Sequence, residues 1–263
     1  MKKRSPRDIT QNVLLLFFLL LTGCAHTHSR QDPTFQNAPI NALLAGCYSG
    51  TLNLHGLREH GDFGIGTLDS LDGEMIVLDH VFYQIKPDGK VYLLKGTDTS
   101  PFATLTFFKP DWRLFPERVR SYAELEAFLD QGIPSENLIY AIKITGKFPS
   151  LKVRSAARQD KPFPVLTEAI REQKVFEWKD QEGTLVGFRF PSYAGGINVP
   201  GYHFHFLSKD KKVGGHVLDL RGEDLQVQID ESQGLSMQLP KSEEFLKADL
   251  KIDSAAAVAK VEK

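Results

Sequence analysis

Residues 201–219 read Gly-Tyr-His-Phe-His-Phe-Leu-Ser-Lys-Asp-Lys-Lys-Val-Gly-Gly-His-Val-Leu-Asp, and this stretch decides the fold around the candidate site. His203 and His205 are two residues apart, so on a β-strand both side chains point to the same face. The polar segment 208–212 predicts a turn, and two glycines then lead to a second apolar run that begins at His216. We therefore predict a β-hairpin that returns His216 to the face of the other two histidines.

Three imidazoles that converge from one hairpin are typical of a catalytic zinc site. Structural zinc sites are closed by four protein ligands, whereas catalytic sites keep three and leave a position open. The alternative is that each histidine is an ordinary strand residue without a metal. Cupins use a similar His-x-His pair but need a glutamate soon after it, and residues 206–209 are Phe-Leu-Ser-Lys. The sequence therefore predicts zinc held by His203, His205 and His216.

The composition indicates a globular, β-rich protein that does not bind nucleic acid. The chain has 263 residues, of which 41% are hydrophobic and 25% charged, and it contains 21 glycines and 18 phenylalanines. The net charge of −1 conceals a basic start, because residues 1–23 carry four basic side chains and one acidic one. The remaining chain is mildly acidic and has no basic run, so it lacks the positive surface that nucleic acid requires.

The first residues predict export and a lipid anchor. The nine apolar residues 13–21 are too few to span a bilayer but suit the core of a signal peptide. Leu21-Thr22-Gly23-Cys24 resembles a bacterial lipobox, in which cleavage precedes a cysteine that becomes lipid-modified. We predict a lipoprotein signal peptide at 1–23 and a membrane-anchored protein on the periplasmic or cell-surface side. The alternative is an ordinary cleaved signal followed by an incidental cysteine.

The predicted fold class is α+β and β-rich, with two mixed or antiparallel, sheet-like or barrel-like subdomains. Polar, aperiodic residues 24–38 predict a tether. The expected subdomains are 39–150 and 151–263, and the second carries the three histidines. Helices are few and short: Ser121-Tyr-Ala-Glu124 is a capping-box pattern that predicts one helix, and residues 165–173 predict another. A faint likeness between residues 73–79 and 215–219 suggests an internal duplication.

Four motifs resemble the bacterial acetolactate decarboxylases. They are Phe-Gly-Ile-Gly-Thr at 63–67, Leu-Asp-Gly-Glu-Met-Ile-Val-Leu-Asp at 71–79, Gly-Tyr-His-Phe-His-Phe-Leu-Ser at 201–208 and Gly-Gly-His-Val-Leu-Asp at 214–219. The resemblance extends from about residue 40 to residue 262. It implies a zinc enzyme, usually dimeric, that converts 2-acetolactate to acetoin and carbon dioxide. It also implies a two-domain fold of β-sheet and β-barrel character.

The resemblance assigns six site residues on this chain: zinc ligands His203, His205 and His216, functional glutamates Glu74 and Glu262, and the functional arginine Arg154. The chemistry suits these types, since zinc stabilises negative charge on the substrate ketone and an arginine fork binds a carboxylate. A glutamic acid must then protonate the enediolate carbon. The sequence leaves open which of the two glutamates does so. His80 stands where the family often has glycine.

Two other functions remain open from the sequence. The first is an exported lipoprotein that binds zinc or a small acid without catalysis, and the second is a zinc hydrolase in which a glutamate activates metal-bound water. Other cofactor and nucleophile motifs do not appear, because Gly64-x-Gly66 lacks the third glycine of a dinucleotide site and there is no Gly-x-Ser-x-Gly. Release of acetoin from acetolactate would separate the decarboxylase from both alternatives.

Overall fold

The computed structural model describes residues 32–251 and 254–261, and strands dominate it. The predicted signal peptide and Cys24 lie outside these residues. The strands are β1 (Thr34–Asn37), β2 (Leu52–Asn53), β3 (Phe63–Thr67), β4 (Glu74–Leu78), β5 (Val81–Ile85), β6 (Val91–Leu93), β7 (Thr99–Ser100), β8 (Ala103–Thr106), β9 (Trp112–Leu114), β10 (Arg118–Val119), β11 (Ile139–Ser155), β12 (Lys174–Phe190), β13 (Gly201–Ser208), β14 (Gly214–Ser232) and β15 (Leu235–Gln238).

The helices are short. They are α1 (Ile40–Leu44), α2 (Leu54–Leu57), α3 (Tyr122–Gly132), α4 (Leu166–Ala169), α5 (Glu243–Lys247) and α6 (Ser254–Val261), with 3-10 turns at Asp69–Leu71, Ile170–Glu172 and Ser192–Ala194. The capping pattern correctly predicted α3, because the Ser121 hydroxyl accepts a hydrogen bond from the Glu124 backbone N–H at 3.1 Å. Within the described residues, no helix is long and apolar enough to cross a membrane.

Two large sheets form the body and confirm the β-rich α+β class. The first has seven strands in the order β15-β1-β8-β3-β4-β5-β6, all antiparallel except the parallel pair β1–β15. The second has the order β10-β14-β11-β12-β13, with β9 added onto β14. Because β13 also pairs with β14, this second sheet closes on itself and is barrel-like. Strands β2 and β7 form a small separate pair.

The barrel-like sheet is built from very long strands. β11 has 17 residues and β14 has 19. Register shifts between β11 and β14 bend the pair, as β-bulges do, so that both strands continue through positions that interrupt the apolar alternation. The expected subdomain boundary at 150/151 falls inside β11.

The predicted tether also needs correction at its end. Residues 34–37 form the buried strand β1, which pairs with β8 on one side and β15 on the other. The segment looks polar in sequence because it contains Gln36 and Asn37, but the structure buries both side chains and gives them hydrogen bonds. Gln36 Nε2 donates to Ala38 O at 2.8 Å, and Asn37 Nδ2 donates to Ser100 O at 3.0 Å. Amide groups whose N–H donors are hydrogen-bonded in this way are compatible with a core, which composition alone does not reveal.

The two sheets share a hydrophobic core, and this contact positions the candidate site. One cluster joins residues of the seven-stranded sheet, including Phe63 and Ile76, to residues of the barrel-like sheet, including Val186 and Phe188. Phe63 and Phe188 meet edge to face with ring centroids 5.9 Å apart. Packing of the two faces brings the start of β4 beside β13, so residues distant in sequence meet at one place.

Candidate active site

The three-histidine hairpin is confirmed. Strands β13 and β14 are antiparallel neighbours, and His205 lies directly opposite His216 in their register. Residues directly opposite in an antiparallel pair share one face, and His203 shares it through the two-residue repeat of the strand. The sequence therefore predicted the local structure and the shared face of His203, His205 and His216.

The ring nitrogens converge in a way that fits a metal ion. His203 Nε2 lies 3.2 Å from His205 Nε2 and 3.0 Å from His216 Nδ1. All three potential ligand atoms lie within 4.8 Å of one another. Tetrahedral zinc with Zn–N bonds of about 2.0–2.1 Å would hold two such nitrogens about 3.3 Å apart. The observed spacing therefore matches the donor set that this metal requires.

The protonation of the histidines also fits metal binding. His205 Nδ1 lies 3.0 Å from the Met75 carbonyl oxygen, which can only accept, so Nδ1 carries the proton and Nε2 presents its lone pair to the cluster. Burial lowers the pKa of both His203 and His205 to about 3, so both rings are neutral near pH 7. Neutral imidazole is the form that binds metals, and a second hydrogen bond of this kind fixes the ring.

A glycine precedes each of two site residues, Glu74 and His216, and neither glycine tolerates a side chain. Gly73 has φ +87°, and a Cβ there would lie 2.2 Å from the carbonyl oxygen of Ile85. Gly215 has φ +148°, and a Cβ there would lie 2.6 Å from the carbonyl oxygen of Arg154. Only glycine permits these backbone angles and this close approach. The two glycines thus allow the close backbone approach that places Glu74 and His216 in densely packed strands.

Glu74 and Arg154 form a buried ion pair beside the histidines. Arg154 Nη1 donates to Glu74 Oε1 at 3.0 Å, and the Ala156 backbone N–H donates to the same oxygen at 3.2 Å. The second oxygen, Glu74 Oε2, lies 3.6 Å from His205 Nε2. The side chains of Glu74 and Arg154 are only 7% and 6% exposed. One carboxylate thus links the guanidinium to the histidine cluster, as the resemblance leads one to expect of neighbouring site residues.

Helix α6 closes the other end of this arrangement. Arg154 Nη2 donates to the carbonyl oxygen of Val261, the last residue of α6, at 3.2 Å. Val258 and Val261 are buried in a cluster that α6 shares with α1 and α4. Glu262, the sixth residue that the resemblance assigns, lies outside the described residues. Its neighbour in the sequence, Val261, nevertheless lines the same cavity as Glu74 and Arg154.

A cavity of about 40 Å³ lies between these elements. Its polar lining comes from Thr67, Glu74, Arg154, His203 and His205. Its apolar lining includes Ile40, Leu43, Phe102, Leu166, Ile170 and Val261. The volume is well below the ~150 Å³ of a cavity that holds benzene, so the space suits only a small ligand. The lining thus combines charged side chains and two of the three histidines with a set of apolar side chains.

Sequence reasoning missed several residues of this cavity. Thr67 lines it and donates from Oγ1 to the carbonyl oxygen of Gly73 at 2.7 Å, which ties β3 to the turn before Glu74. Thr67 ends the glycine-punctuated motif at 63–67, so that motif held the signal. The apolar residues of α1 and α4 gave none, because five-residue and four-residue helices are too short to show a periodic pattern.

Comparison with known proteins supplies the family. A sequence model described as alpha-acetolactate decarboxylase matches residues 34–252. The alpha-acetolactate decarboxylase of Methanosarcina mazei is 46% identical over 237 residues, which cover 90% of this chain and 82% of that protein. The protein of the same name from Bacillus licheniformis is 42% identical, with 88% of this chain and 92% of the relative covered.

A solved structure agrees with these relatives. The crystal structure of alpha-acetolactate decarboxylase from Bacillus subtilis strain 168 superposes with a TM-score of 0.85 at 36% identity. The superposition covers 88% of this chain and 99% of the other. The fold, the extent of the match and the identity all point to the same group of carbon–carbon lyases. The chain therefore belongs to the alpha-acetolactate decarboxylase family.

Proposed function

We propose that this protein decarboxylates (S)-2-acetolactate to (R)-acetoin and carbon dioxide at a zinc site, as a step of acetoin and butanediol biosynthesis. The observation that carries the proposal is the convergence of three histidine rings on one point beside the buried Glu74–Arg154 pair. In a chain of this family, such a site suits a small acid that must lose a carboxylate.

The metal would be held by His203, His205 and His216, all of which are neutral ligands. Zinc in that position supplies a Lewis acid for the negative charge that develops on the substrate ketone. The choice of zinc rests on the nitrogen-only donor set and the spacing of the ring nitrogens. Glu74 Oε2, 3.6 Å from His205 Nε2, is close enough to orient a group that binds at the same point.

Arg154 is the group that would bind the substrate carboxylate. Its side chain is buried and lines the cavity, and its planar guanidinium offers several donors in a fork that matches a carboxylate. Arg154 already donates hydrogen bonds to Glu74 and to the carbonyl oxygen at the end of α6, and these two bonds fix the plane of the guanidinium. The substrate carboxylate would thus enter a site whose orientation is set before binding.

The reaction balances without a redox partner. The bond from C2 to the carboxylate breaks, its electron pair moves toward the ketone, and the resulting enediolate takes one proton at C2. Glu74 Oε1 is held by Arg154 and by the Ala156 N–H, so Glu74 suits a positioning role. Glu262 follows Val261, which lines the cavity, and is the second candidate for the proton donor. A positioned acid contributes about 10²–10⁴-fold to such a step.

The cavity also favours decarboxylation over the two alternatives. The apolar side, with Leu43, Phe102 and Leu166, restricts water near the reacting carbon, which suits an enediolate better than a hydrolytic water. A five-carbon acid needs more room than about 40 Å³, so we expect α6 to shift when substrate binds.

The test is the release of acetoin and carbon dioxide from acetolactate by the purified protein, with chiral chromatography of the acetoin. We expect Glu74→Gln and Glu262→Gln to keep the fold, and at least one to lose about 10²–10⁴-fold in turnover. The donor variant should also form acetoin of lower optical purity, since water protonates either face. The control is Glu223→Gln, a partly exposed partner of Arg118. Absence of acetoin from the wild type, or esterase activity in its place, would refute the proposal.

Location and assembly are separate proposals that rest on the sequence and the family resemblance. We propose that residues 1–23 are removed and that Cys24 carries a lipid that anchors the protein outside the cytoplasm. Cys24→Ser should then leave the membrane fraction, and a variant that stays membrane-bound would contradict the anchor. We also propose a homodimer, which light scattering of the purified protein would detect as twice the mass of the processed chain.

A further inference from the structure

The strand pairing does not support the three histidines equally. His205 pairs directly with His216, and the described pairing of β13 with β14 continues from there through Phe206 and Leu207. His203 lies on the other side of His205, in the part of β13 whose described ladder is with β12. The β13–β14 ladder therefore holds His205 and His216 against each other but does not extend to His203.

The two strands separate at this point because β14 contains an irregularity. Its register against β11 shifts so that Leu218 is an extra residue, and a bulge of this kind bends a strand. If the register that pairs His205 with His216 continued along both strands, Tyr202 would face Asp219. The described ladder does not include that pair. A gap between β13 and β14 thus begins beside His203.

Helix α3 bridges this gap through its first residue, Tyr122. The backbone N–H of Tyr122 donates to Asp219 Oδ1 at 2.9 Å, and its hydroxyl donates to the carbonyl oxygen of Tyr202 at 3.0 Å. The ring of Tyr122 also packs against Phe204 with centroids 6.2 Å apart. Further along α3, Asp130 Oδ1 accepts a hydrogen bond from the Tyr202 hydroxyl at 2.8 Å. The helix thus connects the two residues that the ladder leaves apart.

We propose that Tyr122 is a positioning residue of the metal site, which raises metal affinity by holding His203 in place. This inference rests on the zinc site of the proposed function and adds a residue outside the cavity. The carbonyl of Tyr202 belongs to the planar peptide group that joins Tyr202 to His203, so a hydrogen bond to that oxygen fixes the plane from which His203 projects. A ligand that is already oriented loses less conformational freedom when it binds the ion.

Tyr140 provides a matched control. Its hydroxyl donates to the carbonyl oxygen of Ser135 at 2.8 Å, and Tyr140 lies in the same hydrophobic cluster against which Tyr122 packs. Tyr122→Phe and Tyr140→Phe each remove one hydroxyl from one backbone carbonyl and keep the ring. Only Tyr122→Phe does so at the peptide group of a histidine in the cluster.

The experiment measures the dissociation constant of zinc by competition with a chromogenic chelator, without substrate. Loss of a group that orients a metal ligand costs about 10–100-fold in metal affinity. We expect zinc to bind about 10-fold more weakly to Tyr122→Phe, at the lower end of that range because Tyr122 acts through the backbone. The affinity of Tyr140→Phe should equal that of the wild type. Urea denaturation of the metal-free variants measures the loss of stability that each hydroxyl causes.

A rescue experiment distinguishes positioning from a general loss of structure. Turnover of Tyr122→Phe should fall below that of the wild type at limiting zinc and return toward it in excess zinc, because the residues that contact substrate are unchanged. Tyr202→Phe removes the second link to α3, through Asp130. The double variant Tyr122→Phe/Tyr202→Phe should therefore bind zinc more weakly than either single variant.

The outcomes separate this inference from the proposed function. Wild-type zinc affinity in Tyr122→Phe and in the double variant would overturn the positioning role, as would an equal loss of affinity in Tyr122→Phe and Tyr140→Phe. If the wild type binds zinc and Tyr122→Phe binds it more weakly, but no acetoin forms, the decarboxylase fails while the positioning role stands. If the wild type binds no zinc, the metal site fails and this inference fails with it.

Discussion

The polar and apolar sides of the cavity are built in contrasting ways. The polar side comes from long strands: His205 faces His216 across β13 and β14, and Arg154 lies opposite His216 across β11 and β14. The apolar side comes largely from α1, α4 and α6, which are only four to eight residues long. Strand register fixes the first set by backbone hydrogen bonds between long strands, whereas the second set depends largely on the packing of short helices into one hydrophobic cluster.

This contrast predicts how each side responds to substitution. A one-residue slip in strand register would turn a site residue to the opposite face, so the polar side has no intermediate arrangements. Helices of this length are not stable on their own and depend on the cluster into which they pack. We therefore expect substitutions on the polar side to abolish function, and substitutions on the apolar side to lower stability.

The largest effect should follow the loss of one histidine. His205→Ala removes a ligand that is 1% exposed and oriented by the Met75 carbonyl oxygen. We expect the purified variant to lose its metal and its acetoin release to fall to background, because two remaining imidazoles do not complete the site. Elemental analysis and an acetoin assay check this.

The control for that prediction is His55→Ala. His55 is an exposed residue of α2, and its change should leave both metal content and turnover as in the wild type. Metal at the wild-type level in His205→Ala would mean that the histidines do not form the metal site.

A large effect on stability is expected at the ion pair. Glu74→Ala removes the carboxylate that accepts a hydrogen bond from Nη1 of the buried Arg154, and the loss of one partner from a buried pair costs about 3–5 kcal/mol in the free energy of unfolding. Urea denaturation measures it. Lys147→Ala breaks an exposed pair with Asp224 and should cause almost no change, since solvent screens exposed charges. Equal losses in the two variants would show that burial of the pair is not important.

The smallest effect concerns Asp230, a buried carboxyl group of the barrel-like sheet with no arginine beside it among the described residues. Asp230 Oδ2 accepts a hydrogen bond from the Lys109 backbone N–H at 2.9 Å, and burial raises the pKa of Asp230 to about 7. The folded protein therefore keeps this proton where the unfolded chain loses it, so stability falls as pH rises from about 4 to about 7. Asp230→Asn retains an acceptor and carries no charge. At pH 8 its free energy of unfolding should therefore be about 1–2 kcal/mol higher than that of the wild type.

At about pH 2, well below the ordinary pKa of 3.8, the carboxyl is neutral in both the folded and unfolded states, so Asp230→Asn should match the wild type there. Denaturation curves at the two pH values provide the comparison. A stability difference that is the same at both values would assign the effect to packing and not to charge.

The sequence predicted the local geometry of the three histidines well, because strand periodicity is short-range. The spacing of His203 and His205 and the turn before His216 specify a shared face within one hairpin. The contact of Glu74 with Arg154 joins residues 80 positions apart, and only the family resemblance suggested that they belong to one site. Local patterns carry no information on pairings of that separation.

Other parts of the fold were not accessible from local patterns. β1 was interpreted as tether because its buried Gln36 and Asn37 look like surface residues until their hydrogen-bond partners are known. The full lengths of β11 and β14 do not follow from local patterns, because register shifts between the two strands interrupt the alternation of apolar residues. The apolar side of the cavity escaped notice since Leu43 and Leu166 are ordinary core residues apart from the cavity beside them.

The central claim is that the three histidines hold the metal on which decarboxylation depends, and metal removal tests it most directly. The purified protein is treated with a chelator, dialysed, and assayed for acetoin release before and after addition of one equivalent of zinc. The account predicts that turnover is lost with the metal, returns with about one zinc per chain, and does not return in His205→Ala. Full turnover by the metal-free protein would contradict it.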